Sequence, residues 1–302
     1  MARKSCGLVP TKVRSLPPAV SIIKMQKITI VGAGKIGSAV AFSLLHLKNN
    51  IREIVLIDVI KNLAEGESLD LQHTASAMKK NVKIIGTEDY SFAKNSDIVV
   101  ITAGKARTPD VKDRLDLLNI NKKIIDEILR NVLHHKPKII ILVTNPVDVL
   151  TYYIYKKSNM PRNRIIGFGN YLDTARLNSL NLSGIVIGEH GENQIFLTKE
   201  INDSQKQELK NVSKKIIELK GYTQYGPAYC IAKTINAILN NTKEIIPCSC
   251  VLEGEYGLRD IALGVPAVLT SEGVKIKELK LEKEHIEELK KTADKLQKFK
   301  NL

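Results

Sequence analysis

The stretch that most constrains this chain runs from Lys27 to Asp58, KITIVGAGKIGSAVAFSLLHLKNNIREIVLID, and reads as strand, glycine turn, helix, strand. Residues 27–31 are β-rich, and Gly32, Gly34 and Gly37 then follow in the spacing G-x-G-x-x-G at the opening of a helix. The first glycine permits a tight turn, the second lets backbone amides approach a pyrophosphate, and the third lets the helix pack against the strand, leaving the anion at the helix N-terminus. Lys35 and Ile36 sit inside this turn and belong to the same candidate set. A second strand, 53–57, ends at Asp58, about 20 residues past the last glycine, where an acid accepts hydrogen bonds from an adenosine ribose and repels a 2′-phosphate. The expected cofactor is NAD rather than NADP, with Lys61 nearby as the opposing sign; the alternative is a doubly wound turn that binds nothing.

Further along, a helix is expected over 63–78, a short strand over 82–85 and a near-continuous apolar strand over 97–102, the pattern of a parallel strand buried on both faces. Alternating strands and helices behind a nucleotide turn predict an α/β fold, a doubly wound parallel Rossmann sheet. Residues 105–114, KARTPDVKDR, form a polar loop between that strand and a helix at 115–135, placed as a lid would be. The next buried strand, 139–143, ends in Thr144-Asn145-Pro146, where Asn145 either donates to a ligand or caps the helix that follows. A strand at 164–167 leads into Leu172-Asp173-Thr174-Ala175-Arg176, a strand at 185–187 into Gly188-Glu189-His190-Gly191, and the tail at 282–299 has the stripe of an amphipathic helix packed on the body.

The basic excess, net +14 over 302 residues, would suit a polyanion, but the lysines are dispersed and read as solvated surface; no nucleic-acid partner is expected. No apolar run approaches the roughly 20 residues a membrane helix needs, so no membrane partner is expected either. Four cysteines, Cys6, Cys230, Cys248 and Cys250, show no metal spacing and read as reduced thiols of a cytoplasmic protein. Residues 1–24 read as an extension, a disordered arm rather than a targeting signal, followed by a dinucleotide-binding domain over 25–168 and a substrate domain over 169–302.

The glycine turn with Asp58, TAGKARTP with Arg114, TNPVD, LDTAR, GEHG, KGYT, and LEGEYG followed by LGVP stand in the order found in the lactate and malate dehydrogenases, and the chain resembles that family from Met25 to its end. The resemblance implies that His190 is the acid/base, that Asp173 orients and stabilises its imidazole, that Arg176 binds the substrate carboxylate, and that Arg114 polarises the reacting carbonyl. A histidine between glycines is chemically suited to proton exchange near neutral pH, and a planar guanidinium to a bidentate carboxylate pair. Further cofactor contacts are expected from Thr102, Ala103, Gly104, Asn119, Val143 and Asn145, and substrate contacts from Asn145 and Thr223. By the same resemblance Arg107, counted forward from Ala103-Gly104, falls where malate dehydrogenases place an arginine for a second substrate carboxylate and lactate dehydrogenases a glutamine, which implies a preference for oxaloacetate over pyruvate; counted back from Arg114, Thr108 takes that position, and Thr223 is more lactate-like. The expected reaction is interconversion of malate and oxaloacetate, the step of the tricarboxylic acid cycle, by a homodimer or homotetramer. The alternatives are a lactate or other 2-hydroxy acid dehydrogenase, and a nucleotide-binding protein whose catalysis is impaired. That last alternative has a motive: the chain is shorter than the family between Arg176 and His190, by about three helical turns, and again between His190 and Thr223. The substrate domain is therefore trimmed, and whether His190 still meets Asp173 depends on the shortened helix feeding its strand in the same place.

Overall fold

The computed structural model of the chain describes residues 26–105 and 114–300. Six short strands rich in isoleucine and valine open it: β1 (Gln26–Val31), β2 (Ile51–Ile57), β3 (Lys83–Thr87), β4 (Ile98–Ile101), β5 (Ile139–Leu142) and β6 (Ile165–Gly167). They pair parallel in the order β3-β2-β1-β4-β5-β6. Every residue of β4 and β5 is buried, because helices cover both faces of a parallel sheet. Four helices make that cover: α1 (Lys35–His46), α2 (Lys61–Ala77), α3 (Arg114–Val132) and α4 (Val147–Ser158). α1 turns Val40, Ala41, Leu44 and Leu45 inward, each large aliphatic side chain stabilising the fold by about 1.5–3 kcal/mol on burial. Strand order reverses between β1 and β4, so a crevice opens outside their carboxyl ends, where open α/β sheets take ligands.

Element boundaries differ from the sequence reading by a residue or two, with one break inside an element. The helix expected over 115–135 ends at Val132 and finishes as a tight turn over Leu133–His135, stopped by Lys136 at φ 52°.

The second half continues the same sheet antiparallel. It contains α5 (Asn170–Ser179), β7 (Ile185–Gly188), β8 (Gln194–Leu197), α6 (Asp203–Lys220), α7 (Tyr225–Leu239), β9 (Ile245–Glu253), β10 (Arg259–Thr270), β11 (Gly273–Ile276) and α8 (Lys283–Gln297). β9 joins β6 through Gly167 opposite Ser249, and β10 then carries β7 at Gly264 opposite Gly188. α6 begins with a reciprocal cap, in which Asn202 Oδ1 accepts from Gln205 N at 2.9 Å and Gln205 Oε1 accepts from Asn202 N at 3.1 Å. α7 packs on α1 and so ties the two halves together, while α8 lies on β10 and β8 with Leu289 and Ala293 buried, as the stripe in the tail predicts.

Candidate active site

The glycine turn adopts the geometry its spacing predicts. Gly32 takes φ +107°, and a Cβ on Gly37 would strike the Gly32 carbonyl, so neither position admits a side chain. Around Gly34, in contrast, a Cβ would meet nothing, which leaves open space in front of the α1 N-terminus. Asp58 stands beside this space at the end of β2. Its Oδ2 accepts from Ala33 N at 2.7 Å and its Oδ1 from Ile60 N at 3.0 Å, which aims the carboxylate and leaves lone pairs for ribose hydroxyls. An open cradle at a helix N-terminus with an oriented acid beside it fits a dinucleotide. Lys61, the first residue of α2, is exposed.

Thr102 and Ala103 close the other side of the turn. The Thr102 hydroxyl donates to the Gly32 carbonyl at 2.8 Å, and Ala103 N donates to Val31 O at 2.9 Å. Lys35 Nζ lies 5.4 Å from the ring centre of Tyr222, which brings the turn holding Thr223 over the glycine turn. Ile36 and Val143 are half-buried and pack against the core.

One residue that the sequence reading passed over organises the strand ends. Asn121 is fully buried on α3; its Oδ1 accepts from Lys105 N at 2.7 Å and its Nδ2 donates to Asn145 O, also at 2.7 Å. It thus locks the turn after β4 to the turn after β5, against Gly104. Asn119, singled out in its place, lies about 200° away round the helix and is exposed. Asn145 does not cap α4, whose N-cap is Pro146 without a side-chain bond; its Oδ1 accepts from Val147 N, two residues on, at 3.3 Å, the geometry of an Asx turn. The Asn145–Pro146 bond is cis. Arg107 lies outside the described residues, as do residues 1–24 with Cys6; Arg114 opens α3, but its side chain is also outside them.

The catalytic candidates converge. α5 is only ten residues long, and the short connection after it feeds β7 so that His190, at the end of that strand, returns to Asp173. His190 Nδ1 donates to Asp173 Oδ2 at 2.7 Å, and Arg176 Nη1 donates to Asp173 Oδ1 at 3.1 Å. The shortening between Arg176 and His190 therefore leaves this contact intact. The Asp173 side chain is 1% exposed, while His190 and Arg176 retain 17% and 15%, so the carboxylate is interior and its two partners stay partly open to solvent. Gly169 makes the approach possible, since a Cβ there would collide with the His190 ring.

Burial alone would push the His190 pKa down, but the Asp173 charge and hydrogen bond, helped by Asp148, outweigh it and hold the imidazole above its ordinary value. For Asp173, burial pushes upward; His190, Arg176 and a hydrogen bond from Gln194 reverse this and keep the carboxyl below its usual range. Gln194, on β8, is a further residue the sequence reading did not single out. So are Asn170, whose Nδ2 holds the Gly188 carbonyl at 3.1 Å, and the pair Asp148 and Ser249, which lie directly behind His190.

Two family descriptions match the chain: "lactate/malate dehydrogenase, NAD binding domain" over residues 26–167 and "lactate/malate dehydrogenase, alpha/beta C-terminal domain" over 176–302. The chain belongs to the lactate/malate dehydrogenase family. NAD, expected from the glycine turn, is the cofactor of the domain it carries, and the chain is an oxidoreductase of this family. Among relatives, a malate dehydrogenase of Archaeoglobus fulgidus is 40% identical over 285 residues, covering 89% of this chain and 96% of that protein. L-lactate dehydrogenase 2 of Clostridium acetobutylicum is 39% identical over 306 residues, covering 90% and 95%. The solved structure of the Archaeoglobus fulgidus malate dehydrogenase in complex with NADH superposes with a TM-score of 0.86 at 38% identity, covering 91% of this chain and 99% of that one. Malate and lactate relatives stand almost level, so the choice of substrate rests on the residues that meet it. Among the described residues no helix is long and apolar enough to cross a membrane.

Proposed function

We propose that this family member interconverts malate and oxaloacetate, with NAD as hydride acceptor and NADH as donor. The observation that carries the chemistry is the His190–Asp173–Arg176 arrangement. With Nδ1 committed to Asp173, the His190 Nε2 is the nitrogen left to take the substrate hydroxyl proton, and NAD when bound supplies the acceptor for the hydride. Arg176 spends one Nη1 hydrogen on Asp173 and keeps donors for the substrate carboxylate, which orients the 2-carbon beside His190. Arg114, at the head of α3, is assigned to the carbonyl oxygen, where negative charge develops during reduction.

The preference for a second carboxylate rests on Arg107 in the sequence. An arginine there compensates the extra charge of oxaloacetate and is left unpaired with pyruvate. Steady-state reduction of both 2-oxo acids with NADH is the test: kcat/KM should favour oxaloacetate by at least about 100-fold, and Arg107→Gln should narrow the ratio by about tenfold or more, a change of about 1.4 kcal/mol. A wild-type enzyme preferring pyruvate makes this a lactate dehydrogenase instead, the reading that Thr223 and the lactate relatives support.

A cytoplasmic homodimer or homotetramer completes the reading. Cys230, Cys248 and Cys250 are buried free thiols, which suits a reducing compartment, and Val59, Ile60 and Leu69 at α2 expose apolar surface to a second copy. Light scattering on the purified full chain reads the assembly state directly.

A further inference from the structure

Asp148 has no part in the chemistry just described, yet it is built into the site from behind. It stands in the first turn of α4, in the nucleotide half, and is 3% exposed. Its Oδ2 accepts the backbone N–H of His190 at 2.8 Å, and its Oδ1 accepts the hydroxyl of Ser249 on β9 at 2.6 Å. No cation is hydrogen-bonded to it among the described residues; two dipoles hold it. A buried carboxylate held so sparingly is expensive: burial pushes its pKa up to about 6 against the pull of Ser249, the His190 N–H and the His190 charge, with Glu189 adding to the rise.

The bond network around His190 explains what such a group does. Asp173, Arg176 and His190 all belong to α5 and the β7 end, so their mutual bonds fix the imidazole within the second half only. The hydride, however, must cross to a ring seated in the first half, and a displacement of about 1 Å between reacting groups costs roughly 100-fold in rate. The bond from Asp148 to His190 N spans the two halves, and Ser249, opposite Gly167 where β9 joins β6, anchors the same carboxylate at the junction. We infer that Asp148 is a positioning residue: steadied by Ser249, its carboxylate clamps the main chain of His190 to the nucleotide half and thereby holds the imidazole, with the substrate hydroxyl it exchanges a proton with, in register with the nicotinamide ring. This rests on the reading of His190 as the acid/base.

The test compares Asp148→Ala and Asp148→Asn in the full chain. Asparagine keeps an oxygen for His190 N–H and offers an amide N–H to the Ser249 oxygen; alanine offers neither. Asp148→Ala is expected to lower kcat for 2-oxo acid reduction by about 10–100-fold, with the Kd for NADH from fluorescence titration within about twofold of wild type, and Asp148→Asn to restore kcat to within about threefold. The His190 amide should exchange its hydrogen slowly in wild type and in Asp148→Asn, and much faster in Asp148→Ala. An alanine variant with wild-type kcat, or an asparagine variant as impaired as alanine, overturns the clamp. Should Asp148→Ala fail to fold, Ser249→Ala carries the test: it leaves the carboxylate in place but unsteadied, and kcat should fall about tenfold at unchanged KM, an unchanged kcat again overturning the proposal. Wild-type protein that reduces no 2-oxo acid sinks the reading of function, whereas the exchange of the His190 amide still decides the clamp.

Discussion

The two halves of the sheet solve different problems with different materials. In the nucleotide half the work is done by shape: apolar strands buried on both faces, and a turn whose glycines either forbid a side chain or leave room for a ligand. In the second half it is done by charge: the His190 imidazole and the buried Asp173 carboxylate each shift the other's ionisation, with the Arg176 guanidinium beside them. The first kind of site fails when space is filled. The second fails when one partner is removed, because the charge left behind is buried and unpaired.

The sharpest way to break that contrast is at His190. His190→Asn removes the proton donor and should lower kcat/KM for 2-oxo acid reduction by about 10³-fold, within the range usual for a lost acid/base, while NADH binding stays within about twofold because the glycine turn is untouched. Activity surviving undiminished would remove the acid/base role. Arg176→Gln comes next. It takes a guanidinium from the substrate carboxylate and a hydrogen-bond partner from Asp173, and KM for the 2-oxo acid should rise by about 100-fold, nearly 3 kcal/mol. An unchanged KM would mean that the carboxylate is met elsewhere. In the other half, Gly34→Ala sharpens the idea of shape. The added Cβ meets no protein atom, and φ −69° is ordinary for alanine, so folding stability should move by no more than about 0.5 kcal/mol. The methyl would occupy the space through which the amides reach a pyrophosphate, and the Kd for NADH should rise about tenfold. Melting and fluorescence titration on one sample separate the two effects.

The same contrast explains what could be read from residues in order. Strand and helix periodicity, the glycine spacing and Asp58 were legible because each is a local pattern whose consequence is fixed by backbone sterics; the strand order then brings Gly32 and Thr102 together. The pairing of His190 with Asp173 followed from motif order, and the short α5 preserved it. The supporting polar groups were not legible in this way. Asp148 sits in a helix first turn, where an acid ordinarily needs no explanation beyond the helix dipole. Its partner Ser249 is 101 residues away, in an apolar strand where a serine looks like dilution. Asn121 and Asn119 differ by two places on one helix, and only packing tells the buried face from the exposed one. Gln194 could be recognised only once β8 had folded against β7.

The smallest expected effect is a displacement rather than a loss, and it reports the balance of charges directly. A free histidine titrates near 6.5; burial would lower this, and Asp173 more than reverses it. Reduction of a 2-oxo acid needs the imidazolium, whereas oxidation of the hydroxy acid needs the neutral ring. The reduction rate should therefore be complete below about 6.5, persist above it, and fall only as pH rises through the raised folded pKa; oxidation should run in mirror image. The stability contribution carries the same sign: a histidine more basic in the folded than in the unfolded state contributes fully below the unfolded pKa and loses that contribution as pH rises through the folded one. Asp173→Asn removes the anion and leaves the burial, so its residual activity should show a midpoint displaced to lower pH than in wild type. Paired kcat/KM profiles in both reaction directions measure this. A wild-type midpoint at or below the free value would mean that burial, not the buried carboxylate, governs the imidazole, and the second half would then resemble the first in working by shape alone.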